Sequence, residues 1–398
     1  MLLLVLLLVL LLVLLLVLLL SLHKGVQNMR HAMVWTGGDA RVKYMMNPAV
    51  RTIADGLYEC GFNVTVGNGM RRLLHHETNT PFLYSLGAGD AMVWVGIYDL
   101  QQVTNMLVKL GQSGAFTAYY ATESHELWDR DCSYLRGLPV TEVWQYSSAN
   151  AYRCPSQTVE KPVRVLPPGY YDPVGPAWRP GMHSVPPQSA PPSPSLKAPG
   201  KSVRVVFLGS FRYSIQRRDC IKKLNSHLES PVTVVEDVYN DAGWRRHSDT
   251  MRESAQPVVY VNVHKQCNTT TTSSFAACET FRFSLILSSG ADVVSDHCHS
   301  LDEALYDGFV NYMSVMDMPK AAGSIARQQH ADGPRRALAR ASEFATRFAP
   351  LALFERAGLV TLFARSNQTA TRKEQKESRR RSQGGGPSRL SRFGSIET

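Results

Sequence analysis

The stretch Val258-Val-Tyr-Val-Asn-Val-His264 is followed by a polar loop and then by Phe-Ala-Ala-Cys-Glu-Thr-Phe-Arg, which opens an apolar stretch over residues 275–289. The β-branched run predicts a buried strand of a parallel sheet, and the apolar stretch predicts a helix that ends before Gly290. We expect Glu279 and Arg282 in the early turns of that helix. A strand, a polar loop at its carboxyl end and a following helix form a usual place for a ligand with hydroxyl and phosphate groups.

The same alternation of buried-type strands and helical stretches occurs on both sides of this segment. It predicts an α/β fold in which parallel sheets are covered by helices on both faces. The strands are expected at 32–35, 62–66, 91–96, 116–121, 142–147 and 163–166, and again at 203–208, 232–235, 258–263, 291–295 and 309–313. The main helical stretches are expected at 48–60, 99–110, 214–228, 242–254, 275–289, 301–306 and 320–364, the last with a break at Pro350.

The chain of 398 residues is too long for one ordinary core, and the pattern divides it into two consecutive Rossmann-like units. Gly38 is not followed by the rest of the dinucleotide fingerprint, so that motif is absent. A Pro-rich segment separates the two units and is expected to be a linker or a surface insertion. The predicted parts are an N-terminal membrane or signal segment at 1–24, a first domain at 30–172, the linker at 173–201, a second domain at 202–320, C-terminal helices at 321–365 and a basic disordered tail at 366–398.

The N-terminal segment contains only Leu and Val over residues 2–20, which as a helix would span roughly 28 Å, close to the thickness of a bilayer. The run is longer than a usual signal-peptide core and has no clear small-residue cleavage site, which favours an uncleaved single-pass anchor over a signal peptide. The flanking charges, Lys24 and Arg30, follow the segment, and by the positive-inside rule alone they would keep the body in the cytosol.

Three N-x-[ST] sequons, at Asn63, Asn268 and Asn367, point instead to the secretory lumen. We therefore expect a membrane protein of the Golgi or endoplasmic reticulum lumen, or a secreted protein if residues 1–24 are removed. The membrane orientation therefore stays open between a cytosolic body and a lumenal one.

Half of the formal charge of +10 lies in the tail at 366–398, which lacks interleaved aromatic residues. Such a tail is typical of a disordered basic extension rather than of a nucleic-acid-binding surface, so no nucleic acid partner is expected. The seven cysteines are widely spaced without a C-x-x-C motif. This spacing predicts no zinc site and is compatible with one or two disulfides.

Polar residues that can bind a ligand follow three predicted strands of the second unit. A glycine lets the backbone approach a phosphate, a guanidinium can grip it with two hydrogen bonds, and a carboxylate accepts two hydrogen bonds from a vicinal diol. The candidates are Gly209, Ser210, Arg217 and Arg218 after the first strand, Asn262 and His264 after the strand at 258–263, and Ser274, Glu279 and Arg282 around the next helix.

Each group also has a purely structural interpretation. Arg217 and Arg218 could form a solvated helix face, and His264 could be a histidine satisfied within the core. Glu279 and Arg282 are three residues apart and could form an ordinary salt bridge on one helix face. Their joint position at one edge of a predicted sheet favours a site.

Several segments, taken in order, resemble the nucleotide-sugar domain of glycosyltransferases with the two-Rossmann GT-B fold. They are Phe207-Leu-Gly-Ser210 with Arg217-Arg218, Val261-Asn-Val-His264, Glu279-Thr-Phe-Arg282 with Ser289-Gly290, Val293-Val-Ser-Asp296 and Tyr306-Asp-Gly-Phe309. The first unit is similar too, in 118–123, 142–150 and 166–170.

The resemblance implies transfer of a sugar from a nucleoside diphosphate sugar to an acceptor hydroxyl on a glycan, glycoprotein or glycolipid. It implies no obligatory metal and no other cofactor, with the first domain forming most of the acceptor side. Many relatives carry a second acid about two turns after the first, but no acid lies between Glu279 and Gly290 here. That departure motivates an alternative, in which the chain is a catalytically inactive relative that serves as a binding or scaffold protein.

An inverting transfer needs a base for the acceptor hydroxyl. The candidates are Glu123 at the end of its predicted strand, His125 beside it, and Asp39 after the first strand. A further alternative is a metal-dependent transferase, because Asp129-Arg-Asp131 fits the D-x-D pattern that binds a divalent cation.

Overall fold

The computed structural model describes residues 30–37, 47–68, 85–96, 100–123, 132–170, 203–210, 214–236, 243, 246–247, 257–265, 267 and 276–365. Three predicted segments lie outside these residues: the Leu/Val run, the Pro-rich segment at 173–201 and the basic tail. The predictions of an anchor, a linker and a disordered extension fall on them. Within them, no helix combines the length and apolar character needed to cross a bilayer.

The strands form where β-branched and aromatic residues occur in short runs, as the sequence predicted. They are β1 (Arg30–Thr36), β2 (Phe62–Asn68), β3 (Ala91–Val95), β4 (Phe116–Ala121), β5 (Glu142–Gln145), β6 (Val163–Val165), β7 (Arg204–Leu208), β8 (Thr233–Val235), β9 (Val258–Asn262), β10 (Asp292–Ser295) and β11 (Val310–Tyr312). All the pairs between them are parallel. The predicted α/β fold with parallel sheets is therefore confirmed.

The two sheets repeat one topology. The first sheet has six strands in the order β2-β1-β3-β4-β5-β6, and the second has five in the order β11-β10-β9-β7-β8. In each sheet the second strand lies on one side of the first strand and the third strand lies on its other side. The strand order therefore reverses beside β1 in the first sheet and beside β7 in the second. Open α/β sheets bind ligands outside the carboxyl ends of the strands at such a reversal. In the second sheet these ends are Leu208 and Asn262.

Helices connect and flank the strands. They are α1 (Asn47–Glu59), α2 (Leu100–Gln112), α3 (Ser133–Gly137), α4 (Ser148–Arg153), α5 (Ser156–Val159), α6 (Ile215–Asn225), α7 (Thr280–Ser288), α8 (Ser300–Leu305), α9 (Met318–Arg347) and α10 (Pro350–Arg356). Residues 359–365 are also helical. The long helix ends two residues before Ala349 and the next begins at Pro350, as expected from a proline that cannot continue a helix. Of the helix predicted at 242–254, only residues 243 and 246–247 are described, and they are helical.

The helix predicted at 275–289 begins later than the sequence suggested, and that boundary was wrong. Helix α7 starts at Thr280, with Glu279 as its N-cap residue rather than within its early turns. The cause is a set of contacts made by the preceding backbone. The carbonyl of Ala276 accepts from the N–H of His299 at 2.8 Å, and the N–H of Cys278 donates to the Asp302 carboxylate at 3.1 Å. These bonds hold residues 276–279 in a non-helical conformation.

The C-terminal helices return to the first sheet. The ring of Phe354 in α10 fills the space beside Gly56 of α1, where any side chain would collide with it. Phe363 packs edge-on against Phe62 and Phe116, and its carbonyl accepts from Arg30 at 3.0 Å. The last described helices therefore complete the core of the first unit.

Three disulfides cross-link the described chain, one more than the upper expectation from the sequence. They join Cys132 to Cys154, Cys220 to Cys267, and Cys278 to Cys298. The sequence could not give this pairing, because it depends on which loops the two sheets bring together.

Candidate functional site

The candidate site lies at the carboxyl edge of the second sheet, beside the point where the strand order reverses. Gly209 and Ser210 directly follow β7, and His264 follows β9. The start of α7 brings Glu279 to the same edge, where it contacts Arg217 of α6. Residues predicted from three separate segments thus meet at one place.

Glu279 is the charged centre of this edge. One of its carboxylate oxygens pairs with Arg217 Nη2 and the other with Arg282 Nη1. Burial acts to raise the pKa of Glu279, but the two guanidinium groups outweigh it and bring the pKa down to about 2. The side chain remains 20% exposed. Glu279 is therefore an ionised, rigidly held acceptor with one face open.

Arg217 is buried within the protein rather than extended towards solvent. Its Nε donates to the carbonyl of Val263 at 2.7 Å, and its Nη1 donates to the carbonyl of Ser210 at 3.4 Å. Helix α6 begins directly after Ser214, whose hydroxyl accepts from the Arg217 N–H at 3.1 Å. Arg218 points elsewhere and is exposed. Of the two arginines predicted to grip a phosphate, the structure therefore brings only Arg217 to the site.

Arg282 connects the glutamate to the strand. Its Nη1 also donates to the amide oxygen of Asn262 at 2.8 Å, and its guanidinium lies 4.8 Å from the centre of the Phe207 ring. A Cβ atom placed on Gly209 would lie 2.8 Å from Arg282 Nη2, and the φ of Gly209 is +137°. Position 209 therefore requires glycine so that the guanidinium can pack against the backbone.

His264 is buried beside this group and pairs with Asp296, which follows β10. The two are joined at 2.5 Å between Nδ1 and Oδ1, and the His264 N–H also donates to the Asp296 carboxylate at 3.1 and 3.2 Å. Burial acts to lower the pKa of His264, but the Asp296 carboxylate outweighs it, so the pKa lies above its ordinary value. Its Nε2 has no hydrogen-bond partner among the described residues.

Glu123, at the end of β4 in the first sheet, faces this edge from the other unit. Its carboxylate lies 3.9 Å from Lys265 Nζ, and its backbone carbonyl accepts from the Asn150 side chain at 3.0 Å. Since Lys265 directly follows His264, the predicted catalytic candidate Glu123 lies at the same edge of the second sheet as the candidate site. Asp39, His125 and Ser274, and the Asp129-Arg-Asp131 pair, lie outside the described residues.

Two residues that the sequence analysis did not select join the units at this place. Asp302 of α8 is fully buried and accepts from Ser147 Oγ at 2.6 Å, from the Ser148 N–H at 2.6 Å and from the Ala149 N–H at 3.3 Å. Tyr146 is buried, which raises the pKa of its hydroxyl, and the carboxylates of both units act in the same direction. The contacts of Asp302 are about 150 positions apart in sequence, so no local pattern signals them.

Comparison with known proteins finds a likeness of fold alone. No protein-family model matches the chain, and no curated protein matches it. Similar solved structures include the UDP-forming α,α-trehalose-phosphate synthase from Burkholderia vietnamiensis, with 11% identity, a TM-score of 0.43, and 87% of this chain and 99% of that chain covered. The α,α-trehalose 6-phosphate synthase from Burkholderia multivorans has 10% identity, a TM-score of 0.42 and coverages of 88% and 99%.

The glycosyltransferase SnogD from Streptomyces nogalater is also similar, with 12% identity, a TM-score of 0.32, and 84% of this chain and all of that chain covered. At such identities and scores the comparison adds no residue roles, and the fold assignment rests on the strand order. The two parallel sheets, with their repeated order, give the chain a two-unit α/β architecture, as the resemblance to the GT-B fold implied.

Proposed function

We propose that this protein is a glycosyltransferase that moves a sugar from a nucleoside diphosphate sugar to an acceptor hydroxyl without an obligatory metal. The observation that carries the proposal is the ionised Glu279 between Arg217 and Arg282, at the strand-order reversal of the second sheet. Glu123 of the first sheet lies opposite, next to Lys265. The second unit thus offers charged groups that can bind the nucleotide-sugar donor, and the first unit offers a carboxylate that can contact the sugar acceptor.

The charges of this edge suit a nucleoside diphosphate. A carboxylate offers about four lone-pair sites, so Glu279 can accept hydrogen bonds from a ribose diol while it keeps both arginines. Arg217 and Arg282 together carry one positive charge more than Glu279, whereas Lys265 is balanced by Glu123. The excess at the two arginines favours an anionic ligand. Stabilisation of the leaving diphosphate is the main electrostatic demand of such a transfer.

Glu123 is the candidate base on the acceptor side. It ends a strand of the first sheet, is 18% exposed and lies beside a cation of the second unit. A base in this position would take the proton of the acceptor hydroxyl as the sugar is transferred. The acceptor class we propose is a glycan, glycoprotein or glycolipid.

The three disulfides support a location in the secretory lumen, because disulfides persist mainly in oxidising compartments. We propose a lumenal body that residues 2–20 attach to a Golgi or endoplasmic reticulum membrane. Cleavage of residues 1–24 would instead give a secreted protein.

A second function is favoured by one observation. Both oxygens of Glu279 are already paired with arginines, and α7 carries no second acid. A chain that kept the fold but used these charges only for its own stability would be an inactive binding or scaffold protein.

A panel of nucleoside diphosphates and their sugars tests the proposal with the full-length chain in mild detergent. At about 100 times its Kd, the correct ligand should stabilise the folded protein by about 2.7 kcal/mol in a thermal-shift assay. Glu279→Gln should abolish that stabilisation, whereas Glu355→Gln, on an exposed position of α10, should leave it unchanged. Absence of any shift across the whole panel would refute donor binding.

Hydrolysis of the bound nucleotide sugar distinguishes an active glycosyltransferase from an inactive scaffold protein. Release of free sugar or nucleotide above background by the unmodified chain, lost in Glu279→Gln, would exclude the inactive alternative. Activity that survives a chelator would exclude the metal-dependent one.

A further inference from the structure

Three side chains that can bind a metal converge behind the candidate site. His264 follows β9, Cys278 precedes α7 and Cys298 follows β10, and all three are buried. One atom from each, a ring nitrogen and the two sulfurs, lie within 4.8 Å of one another. A tetrahedral zinc ion with bonds of about 2.0 to 2.3 Å has its ligand atoms roughly 3.4 to 3.8 Å apart, so the two sulfurs, which are bonded to each other in the structure, must first be separated.

The two ring nitrogens of His264 have different environments, and only Nε2 is available to a metal. Its Nδ1 is engaged by Asp296 at 2.5 Å, and its Nε2 is buried without a hydrogen-bond partner in the described part of the chain. In metal sites a carboxylate commonly holds Nδ1–H in this way, which leaves the Nε2 lone pair for the metal. A buried nitrogen without a partner is unfavourable, and a bound cation would remove that cost.

The backbones of both cysteines are fixed independently of their sulfur atoms. The Cys278 N–H donates to Asp302 at 3.1 Å, and the Cys298 N–H donates to Glu303 Oε1 at 2.8 Å. In the structure the two sulfurs form a disulfide. Because these hydrogen bonds do not depend on the disulfide, its opening would leave two thiols close together and facing His264.

We propose that, once the Cys278–Cys298 disulfide is reduced, the two sulfurs and His264 Nε2 bind a soft divalent cation of the zinc class, with solvent in the fourth position. A dithiol is the reductant: its two sulfurs form its own disulfide, and its two electrons and two protons convert the cystine to two thiols. Binding of the cation then releases the two thiol protons, and His264 binds through its neutral form, so any proton on Nε2 is released as well.

The metal would replace the disulfide as the cross-link beside Glu279, which directly follows Cys278. It would take no part in the sugar transfer proposed above, and it does not depend on that function. The other two cysteine pairs have no such histidine among the described residues. The Cys132–Cys154 pair is therefore a matched internal control.

Cobalt substitution tests the site in the full-length chain. The protein is reduced with a dithiol, desalted under argon, and titrated with Co²⁺ and then with Zn²⁺ against a chromophoric chelator. We expect one equivalent of cobalt with a thiolate-to-cobalt charge-transfer band, and no band before reduction. His264→Gln should weaken zinc binding by more than about 100-fold, and Asp296→Asn by about 10- to 100-fold.

A measurement on the unmodified chain guards against variants that do not fold. In the zinc-loaded reduced protein, mass spectrometry should show Cys278 and Cys298 protected from alkylation, and a chelator should expose them. Alkylation of Cys132 and Cys154 should not change with zinc. A reduced chain without the charge-transfer band, a band that survives in His264→Gln, or equal zinc protection of the two pairs would each overturn the proposal.

Discussion

The contact most open to a quantitative test is the one that Asp302 makes between the two units. Its Oδ2 accepts from Ser147 Oγ and from the Cys278 N–H, and its Oδ1 accepts from the N–H groups of Ser148 and Ala149. In Asp302→Asn the amide oxygen keeps the Ser148 and Ala149 N–H donors, and the new amide N–H can donate to the Ser147 hydroxyl. The Cys278 N–H, however, then faces a nitrogen that cannot accept.

The expected loss follows from these four contacts. Hydrogen bonds to a charged group contribute about 1.5 to 3 kcal/mol each and neutral ones about 1 kcal/mol, so the loss of the Cys278 bond and the weakening of the other three would cost about 3 to 9 kcal/mol. Burial raises the pKa of Asp302, which shows that the ion is poorly solvated, and a neutral amide relieves part of that penalty. We therefore expect the free energy of unfolding to fall by about 3 kcal/mol, at the lower end of the range.

Urea unfolding followed by two signals provides the assay. Four of the six tryptophans fall within residues 30–172, and three of these, Trp35, Trp94 and Trp144, lie in strands of the first sheet. Tryptophan fluorescence therefore reports mainly on that unit, whereas far-ultraviolet circular dichroism reports on both. In the unmodified chain the two transitions should coincide. In Asp302→Asn they should separate, because the link between the units is weakened.

The control is Asp307→Asn, which makes the same chemical change at an exposed position five residues further along the chain. Ser147→Ala is the graded variant and should cost about 2 kcal/mol, because its hydroxyl donates to Asp302 and also accepts from the Asn150 N–H. A loss below about 1 kcal/mol in Asp302→Asn, with transitions that still coincide, would refute the reasoning.

Three further predictions concern single residues. The pKa of Glu279 is lowered from 4.5 to about 2. The free energy of unfolding that ionised Glu279 contributes should therefore be fully present above pH 4.5 and should disappear as the pH falls towards 2. In urea unfolding, Glu279→Gln should be less stable by about 3 kcal/mol at neutral pH, and its free energy of unfolding should not change through Glu279 in that pH window. Gly290 and Gly308 have φ values of +75° and +83°, but only at Gly290 would a Cβ collide with the Ala337 carbonyl. Gly308→Ala should therefore cost about 1 kcal/mol and Gly290→Ala clearly more, and equal thermal stabilities of the two variants would contradict this. Glu123→Gln should lower kcat by about 100-fold or more with unchanged donor affinity if it is the base, and an unchanged kcat would remove it from that role.

The fold could be predicted closely because its signals are local. The runs at β4 and β9 are rich in β-branched and aromatic residues and too short for helices. Strand β4 has the predicted bounds, and β9 ends one residue earlier than predicted. The start of α7 could not be predicted in the same way. The residues shortly before Thr280 are mostly apolar and compatible with a helix. Their backbone groups instead form tertiary hydrogen bonds with the His299 N–H and the Asp302 carboxylate.

The site was predictable in its location but less so in its contacts. The sequence indicated an anion site from a glycine after a strand, two arginines and a glutamate. It could not show which arginine faces the site: Arg217 is 3% exposed, whereas Arg218 is exposed to solvent. The reason for Gly209 also differs from the one expected, because Arg282 occupies the space beside it. Asp302 and the disulfide partners depend on contacts between distant segments, which a single sequence does not encode locally.

The return of the C-terminal helices to the first sheet also affects how the chain folds during synthesis. Phe354 fills the space beside Gly56, and Phe363 covers Phe62 and Phe116, so the first unit lacks part of its interior until these residues are available. An N-terminal domain normally folds as soon as it leaves the ribosome. Here the first unit has to wait for nearly the whole described chain, and the exposed aromatic surface of the nascent protein is a natural binding site for chaperones until translation ends.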